Sequence, residues 1–299
     1  MKAVMQWLNV ILGSLLFLAN LLILYPTFFV FSLFRLVPIK PISNAARWLI
    51  DWIVRFWIRN NNRIIELLTS TKWTIETTDR VNLSTKGSYF MVSNHISGVD
   101  IPVLQKVFSD RTPFLKFFLK QELIWVPLLG YGWWALDFPF MKRYSKEYLA
   151  KHPEKRGQDF IATQKACEKF KHVPVTVINY LEGTRFTPEK HKKQNSPFKH
   201  LLKPKAGGLS YALSAMGPKI QTLVDVTIIY PQGKVGLFDL FANRIQEIVV
   251  IIDQLDIPSW LSAGDYQNDP EFRQKAQDWV NALWIAKDQR IEDRLNQSS

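Results

Sequence analysis

The chain has 299 residues, with 38 Lys and Arg against 26 Asp and Glu and a single cysteine. That length holds one large domain or two ordinary ones around a real core. The net charge of +12 points to anionic partners, and one cysteine excludes an internal disulfide framework and fits a reducing compartment. Nucleic acid is the weaker partner for this charge: 11 Trp and 20 Phe are more apolar material than such binders need, and no finger, RNA-binding aromatic signature or recognition-helix pattern is present.

From Trp7 to Phe34 run 28 residues without a charge, more than the roughly 20 a helix needs to cross the hydrocarbon core. The stretch is too long, and lacks the small-residue site, for a cleaved signal peptide. It reads as a retained membrane segment. Pro26 interrupts it, which leaves a kinked or tilted span and a re-entrant hairpin both open. Beyond it lie Arg35, Lys40, Arg47, Arg55, Arg59 and Arg63, opposed only by Asp51 before Glu66. This excess marks the cytoplasmic side under the positive-inside bias. Spacing of four puts Arg47, Asp51, Arg55, Arg59 and Arg63 on one helix face, with Trp48, Trp52, Phe56 and Trp57 on others. Such a helix suits the headgroups of anionic membrane lipids, the alternative being an amphipathic helix packed on a soluble domain.

After residue 72 short β-branched or aromatic runs alternate with helix-period stretches. The runs are WTIETT, YFMVSN, PFLKFFL, PVTVINYLEG, IQTLVDVTIIYP and EIVVIIDQLDI; helices are expected over 101–109, 122–135, 157–171, 205–216 and 271–293. The alternation predicts an α/β fold: a single domain with a mostly buried sheet flanked by helices. The basic segment 187–205 reads as a loop leaving a strand end, where α/β proteins place their sites.

One such end carries YFMVSNHISGVD, residues 89–100. A histidine is the natural general base near neutral pH when its ring is held in one tautomer, and a carboxylate on the far nitrogen does that. Gly98 permits a turn that folds Asp100 back under His95. The bland reading is an isolated histidine beside a helix-starting acid. Ser97 lacks a nucleophile elbow, Cys167 lies in a polar helical run, and His152, His172, His191 and His200 make no metal-ligand spacing with His95. A base without a protein nucleophile must activate a substrate hydroxyl. A second end delivers Glu182, Gly183, Thr184 and Arg185; glycine allows close approach and arginine offers a fork suited to phosphate, unless the four form only a structural turn. Lys120 stands before QELIWVPLLG as a third candidate, or as a solvated strand end.

Taken together these stretches resemble the glycerolipid acyltransferase family, the lysophosphatidic acid and lysophospholipid acyltransferases. NHISGVD is similar to the family's first motif, KQELIWVPLLG with FPFMKR to the second, LEGTR to the third and VDVTIIYP to the fourth. Four in order make the likeness specific, and it covers most of the chain after residue 72. EGTRFTPEKH, LLKPKAGG and WIAKDQRIEDRL resemble the subgroup that holds lysocardiolipin acyltransferases. Tyr180-Leu181 depart from the Phe-Pro that many members carry.

The uncharged run and the basic stripe give a membrane anchor over 1–35 and a basic amphipathic interfacial helix region over 36–72, and the resemblance implies an acyltransferase catalytic domain over 73–299. It implies transfer from a thioester co-substrate, acyl-CoA or acyl carrier protein, to the sn-2 hydroxyl of a lysophospholipid, with no metal or other cofactor. His95 and Asp100 are the implied catalytic pair; Glu182, Gly183, Thr184, Arg185, Arg143 and Lys120 are the implied holders of substrate phosphate. The expected setting is a membrane, the inner or plasma membrane of a bacterium, with the catalytic domain on its cytoplasmic side.

Overall fold

The computed structural model describes residues 2–141, 148, 151–152, 158–168, 170, 173–217 and 220–297. The uncharged segment is one helix, α1 (Lys2–Phe34), which Pro26 does not end; the hairpin alternative is not adopted. One side of α1 packs on the protein. A Cβ at Gly13 would come within 2.5 Å of the Phe241 ring, Phe17 meets the same ring edge-on at 4.9 Å, and Asn20 donates to Trp57 O and Asn61 Oδ1 at 3.0 and 2.9 Å. The other side leaves Val4, Trp7, Leu8, Ile11, Leu15 and Ile23 exposed. Ala3–Phe34 is long and apolar enough to cross a membrane, and so continuous an exposed apolar face associates the protein with lipid.

Helix α2 (Lys40–Leu68) returns along α1, burying Ile50, Ile53, Val54 and Ile58 around Phe28. Its charges divide between the domain and solvent. Arg55 donates to the Ser109 carbonyl and Arg59 pairs with Asp110 at 3.7 Å, while Arg47, Asp51 and Arg55 line a cavity of about 320 Å³ with Arg35, Lys116 and Asp137. Arg55 is thus half-buried against the domain, whereas Arg47, Asp51, Arg59 and Arg63 stay exposed on the same helix as Trp48 and Trp52.

The body follows as β1 (Lys72–Thr77), β2 (Tyr89–Ser93), α3 (Asp100–Phe108), β3 (Leu115–Phe117), β4 (Leu119–Lys120), a 3-10 turn (Gln121–Trp125), α4 (Leu129–Ala135), β5 (Phe140–Met141), α5 (Gln158–Glu168), β6 (Thr176–Asn179), α6 (Pro188–Gln194), α7 (Ala206–Met216), β7 (Thr222–Ile229), β8 (Glu247–Asp256), α8 (Ser259–Ala263) and α9 (Pro270–Gln297). Six strands form one sheet in the order β1-β8-β7-β2-β6-β3, and β4 pairs with β5 apart from it. β7, β2, β6 and β3 run parallel, whereas β8 is antiparallel to β7 and carries β1 in its own direction.

Strand periodicity sends alternate residues to opposite faces. Tyr89 and Met91 of β2 pack with Val103, Leu104 and Phe108 of α3. Phe90 and Val92 pack with Leu209, Ala212 and Leu213 of α7 and with Trp284 of α9. The chain leaves β2 toward β3 across the α3 face and leaves β6 toward β7 across the α7 face. Neighbouring loops thus part to opposite sides and open a crevice at the carboxyl ends of β2 and β6.

Candidate active site

His95 lies two residues beyond β2, and Asp100 opens α3. The turn between them folds as Gly98 allows, and the two meet: His95 Nδ1 donates to Asp100 Oδ2 at 2.8 Å. The same oxygen accepts the backbone N–H groups of Ile96 and Ser97 at 2.7 and 2.9 Å, and Oδ1 accepts the Tyr230 hydroxyl at 2.7 Å. Four donors converge on a carboxylate with no exposed surface, while the His95 side chain remains 16% accessible. Such an acceptor fixes the proton on Nδ1 and leaves the far nitrogen, Nε2, able to take one.

Two further supports hold the loop. Asn94 Nδ2 donates to Ile228 O at 2.9 Å and its Oδ1 accepts Ile228 N–H at 2.8 Å, stitching the end of β2 to β7. The His95 carbonyl accepts Phe186 N–H at 2.7 Å. The imidazole stacks on Tyr180, ring centroids 3.9 Å apart and planes 12° from parallel. Burial first, and then the nearby Asp100 carboxylate, hold the Tyr180 phenol well above its ordinary value of 10.0; the same two influences, in that order, act on Tyr230.

Glu182 differs from the expectation placed on it. It is buried, and its two oxygens accept the backbone N–H groups of His95 and Leu202, each at 3.2 Å. Burial pushes its carboxyl up to about 8, against the lowering pull of those two bonds. With its oxygens turned to these two N–H groups, Glu182 clasps the loops after β2 and β6, where the expectation had it among the phosphate holders. Gly183 closes the turn, its N–H donating to Tyr180 O at 2.9 Å with φ at +71°, a conformation glycine adopts without strain.

Gly183, Thr184, Arg185 and Lys120 line a cleft of about 440 Å³ with His95, Phe117 and Tyr180. The structure thus brings together His95, Asp100 and four of the six expected phosphate holders. Arg143 lies outside the described residues. Lys190, which the sequence reading passed over, joins the group from α6: its Nζ donates to Thr184 Oγ1 at 2.7 Å and to Arg185 O at 3.0 Å. Behind the cleft, Trp133, Phe138 and Gln105 are shared with an apolar cavity walled by Leu24, Phe28, Val54 and Trp57. Cys167 is sealed in the core. Among the described residues no three His, Cys, Asp or Glu side chains gather as a metal-ligand set.

Tyr230 and Tyr180 were also missed. A signal existed for Tyr230: period-two alternation from Val224 through Val226 and Ile228 puts it on the α3 face, where Asp100 lies.

The model of the family described as Acyltransferase matches residues 74–231, more than half of the chain. The 2-acyl-1-lysophosphatidylinositol acyltransferase of Saccharomyces cerevisiae is 26% identical over 219 residues, covering 58% of this chain and 52% of that protein. The 1-acyl-sn-glycerol-3-phosphate acyltransferase gamma of Homo sapiens is 23% identical over 193 residues, covering 61% and 46%. The chain spans about half the length of these curated relatives. The crystal structure of the 1-acyl-sn-glycerophosphate (LPA) acyltransferase, PlsC, from Thermotoga maritima shares the fold at a TM-score of 0.53 with 19% identity, over 96% of this chain and 98% of that one. None of these matches singles out the lysocardiolipin subgroup.

Proposed function

Because the chain belongs to the acyltransferase family, whose model spans residues 74–231, we propose that it moves a fatty acyl group from a thioester to the sn-2 hydroxyl of lysophosphatidic acid, giving phosphatidic acid. The observation that carries this reading is the His95 to Asp100 bond at 2.8 Å, set in a cleft lined by Arg185.

In the proposed step Nε2 of His95 removes the acceptor hydroxyl proton while the oxygen attacks the thioester carbonyl. The tetrahedral intermediate expels the thiolate, which recovers the proton from the imidazolium, so atoms and charge balance. Asp100 orients the ring and stabilises the imidazolium. Gly183, Thr184, Arg185 and Lys120, with Lys190 behind them, suit the acceptor phosphate; Arg143 keeps its expected place in that set. The apolar cavity against α1 and α2 suits the acyl chain. The donor carrier is acyl-CoA or acyl carrier protein, and the setting is a bacterial inner membrane with the catalytic domain cytoplasmic. Reacylation of another lysophospholipid is the second reading, favoured by the activity named for the yeast relative.

Thiol release by the detergent-purified protein, with each donor across a panel of lysolipids, tests the proposal. Release that requires lysophosphatidic acid and falls by about two to four powers of ten in His95→Ala supports it. Release only with another lysolipid moves the enzyme to remodelling, and full activity in His95→Ala removes the base.

A further inference from the structure

A hydrogen bond to one ring nitrogen leaves an imidazole a freedom: it can turn about the line from Nδ1 to the carboxylate and swing Nε2 with it. Two aromatic rings in a column with it oppose that motion. Phe117 ends β3, Tyr180 follows β6 and His95 follows β2, and these strands are neighbours in the sheet in that order. Phe117 and Tyr180 stack at 6.1 Å and 23°, Tyr180 and His95 at 3.9 Å and 12°. The column forms one wall of the cleft. Phe117 is 8% exposed and, among the described residues, the buried Tyr180 hydroxyl has no hydrogen-bonding partner; the face of the phenol, not its oxygen, meets the histidine.

Resting on the proposed acyl transfer, we propose that Tyr180 is a positioning residue for His95. The in-plane bond to Asp100 sets where the ring is anchored, and the stacked phenol sets the plane in which it lies. The two restraints are perpendicular, and together they aim Nε2 at the acceptor hydroxyl. Misplacement of a reacting group by about 1 Å costs on the order of 10²-fold in rate, which is the scale the stack protects.

The experiment compares the wild type, Tyr180→Phe and Tyr180→Met, the last keeping apolar volume without a ring. NMR of the histidine ring protons, with His95→Ala to assign the signal, reads the stack without turnover, because protons above an aromatic face move upfield. The expected result is an upfield His95 in the wild type and Tyr180→Phe, and loss of that displacement in Tyr180→Met. In Tyr180→Met kcat should fall about ten- to a hundredfold, with both KM values within about twofold, and Tyr180→Phe should recover most of the loss. Where Tyr180→Met does not fold, Phe117→Leu, which frees the phenol to tilt, is read the same way with a smaller fall. An ordinary His95 position in the wild type, wild-type kcat in the ringless variant, or a Tyr180→Phe as slow as Tyr180→Met overturns the proposal. A wild type that turns over no thioester overturns the reaction and the positioning role with it, even where the ring protons show the stack.

Discussion

Tyr230, one residue past β7, donates its hydroxyl to Asp100 Oδ1 at 2.7 Å, although 130 residues separate the two. The bond ties the helix that carries the acid to the strand on the other side of β2. Hydrogen bonds to charged groups contribute about 1.5–3 kcal/mol. Tyr230→Phe should therefore lower the melting temperature and reduce kcat about tenfold while sparing the acceptor KM. Asp100→Asn should cost more rate, since it alters the partner of the imidazole directly. Steady-state kinetics beside thermal unfolding check both, and a Tyr230→Phe protein slower than Asp100→Asn would reverse the assigned order.

Arg185 is exposed at the cleft. If it binds phosphate equally in the ground and transition states, Arg185→Ala raises the acceptor KM at least tenfold and leaves kcat near wild type. Arg185→Lys should recover only part of that, because a lysine lacks the planar fork. Kinetics at fixed donor measure it, and an unchanged acceptor KM removes the phosphate role.

Glu182 makes stability depend on pH. Its carboxyl is raised from 4.5 to about 8 in the fold, so between those values the folded protein holds a proton that the unfolded chain releases. The contribution is complete below about pH 4.5, declines as pH rises and is gone above about pH 8. Glu182→Gln removes this decline. Denaturant titrations from pH 5 to 8 should show wild-type stability falling relative to the variant; parallel curves would mean that Glu182 is ionised in the fold across that range.

Beneath the site lies a buried ionic cluster. Lys287 of α9 and Asp225 of β7 pair at 2.6 Å, each with at most 1% of its side chain exposed, and Arg290 reaches Asp225 at 2.8 Å and Asp253 at 3.1 Å. Burial, the dominant influence, lowers the Lys287 ammonium from its ordinary value. Removing one partner of a buried pair costs about 3–5 kcal/mol. Lys287→Ala should sit near the low end, since Arg290 still serves Asp225, and chemical denaturation measures it. A loss under about 1 kcal/mol would show that the pair does not hold α9 to the sheet.

Much of the domain was legible because strand and helix leave periodic traces. Each of the six apolar runs holds a strand of the main sheet, and the expected helix over 205–216 is α7, Ala206–Met216. Where the reading slipped, local chemistry was outweighed or overlooked. The helix expected over 122–135 divides at Pro127, and Leu128 takes φ +62° to turn the chain into α4. The segment 187–205, read as a loop, opens with α6, whose start is capped by the Thr187 hydroxyl accepting Lys190 N–H at 3.3 Å; Thr, Pro and Glu in succession were its signal. The face of α2 was harder. A row of arginines four apart specifies a stripe, but only the fold shows that Ser109 O and Asp110 wait opposite it. Pairings between distant strands, as of Tyr230 with Asp100, leave no spacing to find.

The packing of α1 has a consequence for how the protein matures. Gly13 and Phe17 cover Phe241, and Phe28 covers Ile50, Ile53 and Val54, so the first helix completes the core as well as meeting lipid. A domain produced without it would present those side chains to water and aggregate. An unrelated hydrophobic helix in its place would restore attachment without restoring the fit. The same 33 residues thus serve both the fold and the lipid contact, and a helix exchanged for attachment alone forfeits the packing.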